Sequence, residues 1–326
     1  MKLIIQIPCL NEEQTIRQVL EDLPRQIEGV DSIETLIIDD GCTDKTLAVA
    51  RAHGATHILR LKHNRGLAAA FRAGIEECLH LGADIIVNTD GDNQYRGADV
   101  AALVKPIVEG RADFVIGIRD IDSIRHFSFR KKILQHLGSW IVRKLSGTQI
   151  RDVTSGFRAF TRTAAASLDL VTDYTHTLET IITLGKERVS IAQVPIQTNH
   201  QARDSRLFSS VRRYVTQCTA DLIRIYIRYE AFKTFASTGV LSILLGLFCG
   251  SYYLLDRVLR NGRSMVMLAF FSLLCMSGLM FIMLGFLADG IACNRRMLNK
   301  LTRYLRSTAS RSLPQENAGD LEKTQE

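Results

Sequence analysis

The amino-acid sequence predicts an α/β fold with a mostly parallel sheet, followed by a membrane-associated region. Short apolar runs alternate with helical patterns through the first half of the chain, as in strands joined by crossover helices. Polar clusters follow several of these runs, at the positions where an open parallel sheet binds its ligands. Two long uncharged segments occupy the last third of the chain, and each is long enough to cross a bilayer.

The alternating elements follow one another in a regular order. The predicted strands are Leu3–Ile7, Thr35–Ile38, His57–Leu61, Ile85–Val87 and Phe114–Ile116. The first predicted helix is capped by Asn11, with Gln14 reaching back to it as in a capping box. The other predicted helices are Thr43–His53, Gly66–Leu81 and Asp99–Glu109. Because helices separate the strands along the chain, the strands can lie parallel, with helices covering both faces of the sheet.

Composition and charge narrow the classes of function. The chain has 326 residues, which is enough for one large domain or two small ones. Its net charge of +7 suits nucleic acid or an anionic membrane surface, but no compact nucleic-acid motif accompanies it, so no nucleic-acid partner is expected. The seven cysteines are odd in number and form no CxxC pair, which argues against a disulfide framework or a zinc site. No dinucleotide-binding or P-loop glycine pattern is present.

The two long apolar segments predict a membrane hairpin. Phe235–Leu255 and Met265–Ala288 carry no charged residue, and neither shows the polar face of a helix that packs in a soluble core. More basic residues flank the pair than lie in the short linker, so the α/β domain and both termini are predicted to be cytoplasmic, at the cell membrane. The basic, amphipathic stretch before the hairpin predicts an interface helix, or alternatively a packed helix of the soluble domain. The predicted domains are 1–207, 208–232 for the interface helix, 233–294 for the two spans, and 295–326 for a basic then polar tail.

Three polar clusters at predicted strand ends indicate the binding site. They are Pro8–Glu12, Asp39–Asp44 and Asp90–Gln94. Asp90, Asp92 and Gln94 offer oxygen ligands that suit Mg²⁺ or Mn²⁺. The bound ion would take its remaining ligands from a diphosphate. The alternative for this cluster is a solvated acidic turn. Asp40 can accept hydrogen bonds from a base or ribose, unless it and Asp39 only start the turn and cap the next helix.

Seven motifs in a consistent order give the chain a specific resemblance. They are IPCLNEEQTI, IIDDGCTDKT, HNRGLAAAFRAGI, ADIIVNTDGDNQY, DFVIGIR, DVTSGFRAF and VPIQTNHQARDSRL. Over about residues 1–230 the chain resembles glycosyltransferase family 2, and within it the polyprenyl-phosphate glycosyltransferases similar to dolichyl-phosphate mannose synthase. The resemblance implies a Rossmann-like GT-A catalytic domain, a nucleotide-diphosphate sugar as donor and a lipid phosphate as acceptor.

The resemblance also implies roles for the residues that match the family's motifs. The implied nucleotide-sugar-binding residues are Pro8, Leu10, Glu12, Asp40, Asp90, Arg119 and Arg158. The implied metal ligands are Asp90, Asp92 and Gln94, and the implied catalytic residues are Asp152 and Asp92. The residues that match the acceptor-phosphate loop are Arg203, Ser205 and Arg206. Asp152 is expected to orient the acceptor or sugar or to stabilise developing positive charge, with a role as general base as the second choice.

The predicted function is an inverting, metal-dependent sugar transfer. Glucose, N-acetylglucosamine or mannose would pass from a nucleotide-diphosphate sugar to a membrane polyprenyl phosphate, either dolichyl or undecaprenyl. One alternative is a catalytically inert membrane scaffold or lipid carrier that retains the fold. Another is a polysaccharide synthase, which normally carries a QxxRW motif that is missing around Trp140, the only tryptophan. The choice of sugar stays open, as does the oligomeric state, for which a homo-oligomer is one option.

Overall fold

The computed structural model describes residues 1–119, 139–170, 176–199, 211–260 and 265–312. The chain divides into two compact units, one comprising Met1–Cys218 with Thr302–Glu326 and the other comprising Thr219–Leu301. The predicted acceptor-phosphate residues Arg203, Ser205 and Arg206 lie outside the described residues.

A seven-stranded sheet forms the centre of the first unit. Its strands are β1 (Lys2–Cys9), β2 (Ser32–Asp39), β3 (His57–Arg60), β4 (Ile85–Asn88), β5 (Phe114–Ile118), β6 (Arg158–Thr161) and β7 (Ile191–Pro195). Their order in the sheet is β3-β2-β1-β4-β6-β5-β7. All neighbours are parallel except at β6, which runs antiparallel to both β4 and β5. The predicted mostly parallel sheet is therefore confirmed, with two strands that the sequence pattern did not reveal.

Helices cover both faces of this sheet, and the central strands are buried for that reason. The helices are α1 (Ile16–Asp22), α2 (Thr46–Ala52), α3 (Leu67–His80), α4 (Val100–Val108), α5 (139–146), α6 (Arg162–Ala166) and α7 (His176–Lys186). In β1, Leu3, Ile4 and Ile5 are fully buried although successive side chains point to opposite faces. A strand covered on both sides needs such a continuous apolar run rather than an alternating one.

The predicted cap of the first helix is wrong. Helix α1 begins at Ile16 after Thr15, and neither Asn11 nor Gln14 caps it. Asn11 instead has a positive φ of 56°, a conformation that asparagine tolerates better than most residues. Its side-chain oxygen accepts a hydrogen bond from the backbone N–H of Thr43 at 2.8 Å. The residue therefore joins the loops that follow β1 and β2, which a local sequence pattern could not show.

The second unit consists of the greater part of two long apolar helices. Helix α8 (Val211–Arg260) leaves helical geometry at Glu230, where φ is −128° and ψ is 33°, and α9 is Met265–Ser312. The segments Glu230–Leu259 and Met265–Asn294 are long and apolar enough to cross a membrane, with mean hydropathies of 1.7 and 2.3. Only 11% and 6% of their most apolar stretches are buried within the protein. A core helix of a soluble protein would be mostly buried, so a pair of membrane spans explains these helices better.

Small residues let the two helices of the second unit approach closely. A Cβ atom on Gly239 would lie 2.6 Å from the carbonyl oxygen of Gly278, and one on Gly278 would lie 2.7 Å from that of Gly239. The hydroxyl of Ser242 donates a hydrogen bond to the carbonyl of Leu274 at 2.9 Å. Close backbone contact and interhelical hydrogen bonds are what stabilise helix pairs in lipid, where apolar burial gives little driving force.

Candidate functional site

The carboxyl ends of β1, β2 and β4 lie side by side. In the parallel register Cys9 is beside Asp39, and Gln6 is beside Asn88. The loops that leave these strands consequently begin at one edge of the sheet. The three polar clusters predicted from the sequence are the first residues of those loops, so the structure brings them together.

The loop after β1 is fastened to the loops on either side of it. The hydroxyl of Thr46 accepts the backbone N–H of Glu12 at 2.8 Å, and the hydroxyl of Thr15 donates to the carbonyl of Gly91 at 2.7 Å. A Cβ atom on Gly91 would lie 3.1 Å from the sulfur of Cys9. The predicted nucleotide-binding stretch from Pro8 to Glu12 is therefore packed against the acidic loop, and its contact with a nucleotide stays a prediction.

Asp39 and Asp40 both hold backbone turns. The Asp39 carboxylate accepts the N–H groups of Gly41 and Cys42, at 3.1 and 2.7 Å, as expected of a residue that starts a turn. The two oxygens of Asp40 accept the N–H groups of Arg65 and Gly66, at 2.7 and 2.9 Å. Asp40 thus fixes the turn that precedes α3. A carboxylate has lone pairs for further hydrogen bonds, so its predicted contact with the nucleoside is compatible with this role.

The acidic loop after β4 is tightly turned and faces a glycine. A side-chain oxygen of Asp92 accepts the N–H of Gln94 at 3.0 Å, with Asn93 between them at a φ of 59°. A Cβ atom on Gly156 would lie 3.1 Å from one carboxylate oxygen of Asp90 and 3.3 Å from the other. A side chain at position 156 would therefore require the Asp90 carboxylate to shift by a few tenths of an ångström.

The electrostatics of Asp90 favour a bound cation. Burial and the neighbouring Asp92 raise the pKa of Asp90 to about 7, although Arg119 and Arg158 act in the opposite direction. Within the described residues no group of three or more His, Cys, Asp or Glu side chains is arranged to hold a metal. Mg²⁺ and Mn²⁺ sites on nucleotides commonly use only one or two carboxylates and take their other ligands from phosphate and water. The oxygen donors of Asp90, Asp92 and Gln94 fit that kind of ion.

Arg119 and Asp152 form a buried ion pair beside the acidic loop. The Arg119 Nε and Nη2 atoms donate to the two carboxylate oxygens of Asp152 at 2.7 and 3.1 Å, and Nη2 also donates to the hydroxyl of Thr154 at 2.9 Å. Burial alone would raise the pKa of Asp152, but the charge of Arg119 and these hydrogen bonds lower it below its ordinary value. Asp152 is therefore a stable anion and a poor proton acceptor. Asp152 therefore orients the side chain of Arg119, whose contact with a phosphate or sugar stays a prediction.

Arg158 is buried, and its guanidinium donates hydrogen bonds to backbone carbonyl oxygens. Its Nε, Nη1 and Nη2 donate to the carbonyl oxygens of Ser155, Thr177 and Val153, at 2.7, 2.8 and 3.1 Å. Desolvation lowers its pKa to about 10, so the guanidinium is still charged at neutral pH. Its direct binding of a nucleotide sugar stays a prediction. The observed geometry gives it a positioning role, in which it fixes the loop that carries Gly156 and lends positive charge to the site.

Sequence reasoning missed the residues that hold Gly156 in place. The hydroxyl of Tyr95 accepts the N–H of Gly156 at 2.9 Å, and the side-chain amide of Asn88 donates to its carbonyl oxygen at 2.8 Å. Asn88 in turn accepts a hydrogen bond from Gln6 at 2.9 Å. The sequence held one signal for this arrangement, namely the amides of Gln6 and Asn88 inside otherwise apolar strands. A buried polar side chain needs a hydrogen-bond partner, so these amides indicate further contacts.

A second connection ties the acidic loop to the segment after β7. The backbone N–H of Asn199 donates to the carbonyl of Gln94 at 2.9 Å, and its side-chain amide donates to the carbonyl of Asn93 at 3.2 Å. Thr198 forms an isolated antiparallel bridge with Tyr95. The acidic loop therefore has one fixed neighbour in the loop of Gly156 and another in the segment that leads toward the predicted acceptor loop.

Residues 4–168 match the protein family described as Glycosyl transferase family 2. The match covers about half of the chain and extends from β1 into the region after β6, so it includes the acidic loop and the Gly156 loop. The chain belongs to this family. Its membership identifies it as a glycosyltransferase enzyme.

Relatives support the same assignment. Over 205 residues the chain is 33% identical to an uncharacterized protein of Methanocaldococcus jannaschii, covering 60% of this chain and 81% of the relative. It is 30% identical over 214 residues to the UDP-N-acetylglucosamine–dolichyl-phosphate N-acetylglucosaminyltransferase of Methanococcus voltae, covering 59% and 83%. It is also 27% identical over 174 residues to the polyprenol monophosphomannose synthase of Mycolicibacterium smegmatis, covering 51% and 64%.

Solved structures of similar fold support the GT-A assignment of this glycosyltransferase. Glucosyl-3-phosphoglycerate synthase of Mycobacterium tuberculosis, in complex with Mn²⁺, UDP-glucose and phosphoglyceric acid, superposes with a TM-score of 0.52 at 23% identity. The superposition covers 67% of this chain and 80% of that protein. The predicted fold class, a GT-A catalytic domain followed by two apolar helices that can form a hairpin, is confirmed.

Proposed function

We propose that this glycosyltransferase moves a sugar from a nucleotide-diphosphate sugar to a polyprenyl phosphate, with inversion at the anomeric carbon and with Mg²⁺ or Mn²⁺ bound. The sugar is glucose, N-acetylglucosamine or mannose. The proposal is supported first by the Asp90 carboxylate, which lies next to Gly156 and whose pKa is raised by burial and by the neighbouring Asp92. A divalent cation would supply positive charge between Asp90 and a bound diphosphate, at the strand end where α/β sheets bind nucleotides.

The lipid acceptor is supported by the relatives and by the apolar helices. The Methanococcus voltae relative is named a dolichyl-phosphate N-acetylglucosaminyltransferase, and the Mycolicibacterium smegmatis relative is named a polyprenol monophosphomannose synthase. Polyprenyl phosphates reside in membranes, and this chain has two segments fit to cross one. In the proposed arrangement Arg203, Ser205 and Arg206 bind the acceptor phosphate, as their matching motif implies.

The chemistry of a phosphate acceptor agrees with the ion pair at Asp152. A phosphate monoester has a second pKa of about 6, so the nucleophile is already anionic at neutral pH. No strong general base is then required, and Asp152, paired with Arg119, is poorly suited to be one. Its fixed negative charge can orient the acceptor or sugar and can stabilise positive charge on the sugar ring in the transition state.

One displacement accounts for the reaction. A phosphate oxygen of the acceptor forms a bond to the anomeric carbon while the bond from that carbon to the β-phosphate oxygen breaks, and the nucleoside diphosphate leaves with the electron pair. When bound by Asp90, Asp92 and Gln94, a divalent cation supplies stabilisation of the leaving diphosphate. Pro8, Leu10, Glu12 and Asp40 bind the nucleoside.

The proposed membrane arrangement follows the charge pattern. Residues 1–207 form the catalytic domain, 208–232 an interface helix, 233–294 the two spans and 295–326 a basic then polar tail. The arginines on both flanks of the hairpin favour placing the catalytic domain and both ends of the hairpin on the cytoplasmic side of the cell membrane.

A transfer assay with purified full chain tests the proposal. Radiolabelled UDP-glucose, UDP-N-acetylglucosamine and GDP-mannose would each be offered with polyprenyl phosphate and either Mg²⁺ or Mn²⁺. One donor should give a lipid-extractable product of inverted anomeric configuration, measured by NMR, and EDTA should abolish its formation. Asp90→Asn should lower turnover by at least about 100-fold. Asp31→Asn, at a side chain that is 89% exposed, is the matched control and should leave turnover unchanged.

Two results would contradict the proposal. Binding of no nucleotide sugar in the presence of metal would favour an inert scaffold or lipid carrier. Transfer that extends a sugar chain, with no lipid-linked monosaccharide, would favour a polysaccharide synthase.

A further inference from the structure

One large apolar side chain of the catalytic unit is exposed to solvent without being part of the site. Trp140 on α5 is 53% exposed. Among the described side chains of the first unit, Met1 is the other large apolar side chain that is exposed. Tryptophan is usually well buried in soluble domains, and an exposed one often marks a contact surface.

Helix α5 is held so that Trp140 must point outward. Ser139, Val142 and Ser146 lie on its inner face with exposed fractions of 2%, 0% and 3%. The hydroxyl of Ser146 donates to the carbonyl of Val142 at 2.7 Å. Residues four apart share a face of a helix, which places Trp140 and Lys144 together on the outer side.

The chain segment that carries Trp140 is positively charged. The Lys144 ammonium lies 5.3 Å from the centre of the Trp140 ring. Residues 139–151 also contain Arg143 and Arg151 and include no acidic residue. A large amphipathic ring among cations is the combination that binds at the headgroup level of a bilayer, where the indole N–H stays hydrated and the ring contacts lipid.

We propose that Trp140 and Lys144 form a membrane-contact surface of the catalytic unit, which binds anionic phospholipid headgroups. The occupant follows from charge complementarity and from the second unit, whose two candidate spans keep a bilayer attached to the same chain. This surface is additional to the hairpin and to the proposed sugar transfer. Its test requires no turnover, so it can fail or succeed independently of the proposed function.

Trp140 is the only tryptophan, and its fluorescence therefore reports on this surface alone. The full chain would be reconstituted into vesicles of phosphatidylcholine and phosphatidylglycerol. Lipids brominated near the headgroup end of the acyl chain should quench most of the emission, and lipids brominated near the chain end should quench less. Aqueous acrylamide should quench weakly. Trp140→Phe supplies the background signal.

Charge reversal tests the part played by Lys144. Lys144→Glu should shift the equilibrium away from membrane contact by about fivefold or more, seen as weaker bromolipid quenching in the anionic vesicles. The effect should shrink in pure phosphatidylcholine. Lys105→Glu, an exposed lysine of α4, is the matched charge reversal and should leave quenching unchanged.

Two outcomes would overturn the proposal. Strong acrylamide quenching without bromolipid quenching would place Trp140 in water. Resistance to both quenchers would mean that protein covers the ring.

Discussion

Replacing Gly156 with alanine is the most direct probe of the site. The new Cβ atom would lie 3.1 and 3.3 Å from the two carboxylate oxygens of Asp90, which is closer than ordinary van der Waals contact. The backbone cannot easily retreat, because Tyr95 and Asn88 hold the N–H and carbonyl of Gly156 at 2.9 and 2.8 Å. The strain must therefore fall on Asp90, whose carboxylate has to move by a few tenths of an ångström.

Such a displacement should affect catalysis more than folding. A misplacement of about 1 Å at a reacting centre can cost on the order of 100-fold in rate. For a smaller shift we expect kcat/KM to fall about 10- to 100-fold, equivalent to roughly 1.4 to 2.7 kcal/mol of transition-state stabilisation. The affinity for nucleotide sugar in the presence of metal should fall with it, as measured by calorimetry.

Controls separate this effect from general damage. Gly290→Ala is the matched change, because among the described residues no atom beyond the adjoining helix backbone lies within 4 Å of the Cβ position at Gly290. Asp90→Asn combined with Gly156→Ala should cost little more than Asp90→Asn alone, since the two changes act on one group. Full activity and unaltered nucleotide affinity in Gly156→Ala would refute the role assigned to this glycine.

Three further predictions concern other parts of the molecule. Asn199→Ala removes the side-chain hydrogen bond to Asn93 and should raise KM for polyprenyl phosphate about 2- to 10-fold, with little change in nucleotide affinity. Gln197→Ala is the control, because the Gln197 amide pairs with the exposed Arg96, and it should leave KM unchanged. Equal KM values in the two variants would contradict the connection between Asn199 and the acidic loop. Asp152→Asn leaves Arg119 buried without its partner and should lower the free energy of unfolding by about 3 to 5 kcal/mol at neutral pH. Because the pKa of Asp152 is lowered in the folded state, its contribution to stability is present above about pH 4 and is lost as the pH falls through the folded-state pKa. The free energy of unfolding should therefore fall less steeply with decreasing pH in the variant than in the unmodified protein. The same steepness in both would argue against the ion pair. Gly239→Leu should destabilise the helix pair by about 1 to 3 kcal/mol in detergent, measured by thermal unfolding. Gly290→Leu, at an open position, should have little effect. Equal stability of the two variants would show that the close contact is absent.

Much of the fold could be predicted because it depends on local patterns. β1 and β4 are short, mostly apolar runs, and both were predicted to within a few residues. The acidic loop was found because its residues follow β4 directly. β6 was not predicted, since the four residues Arg158–Thr161 have no recognisable strand pattern and are stabilised by pairing with β4 and β5.

The roles of the charged side chains were harder to predict than their positions. A motif that contains Arg158 is equally compatible with an arginine that faces a substrate and with one that is buried on backbone carbonyls. In the structure Arg158 is 1% exposed and donates hydrogen bonds to the carbonyl oxygens of Val153, Ser155 and Thr177, which gives it a positioning role. Burial of this kind depends on how distant segments meet, which no window of sequence contains.

The direction of a single strand determines the composition of this site. β6 begins at Arg158, which lies beside Asn88 at the end of β4, and it runs back toward the start of that strand. The segment that enters β6, with Asp152 and Gly156, is therefore delivered to the edge where the acidic loop begins. A parallel strand of the same four residues would deliver that segment to the opposite edge, about 13 Å away. One reversed strand brings the loop that enters β6 to the edge where the loops after β1, β2 and β4 begin, so that a mostly parallel sheet builds its site from both kinds of connection.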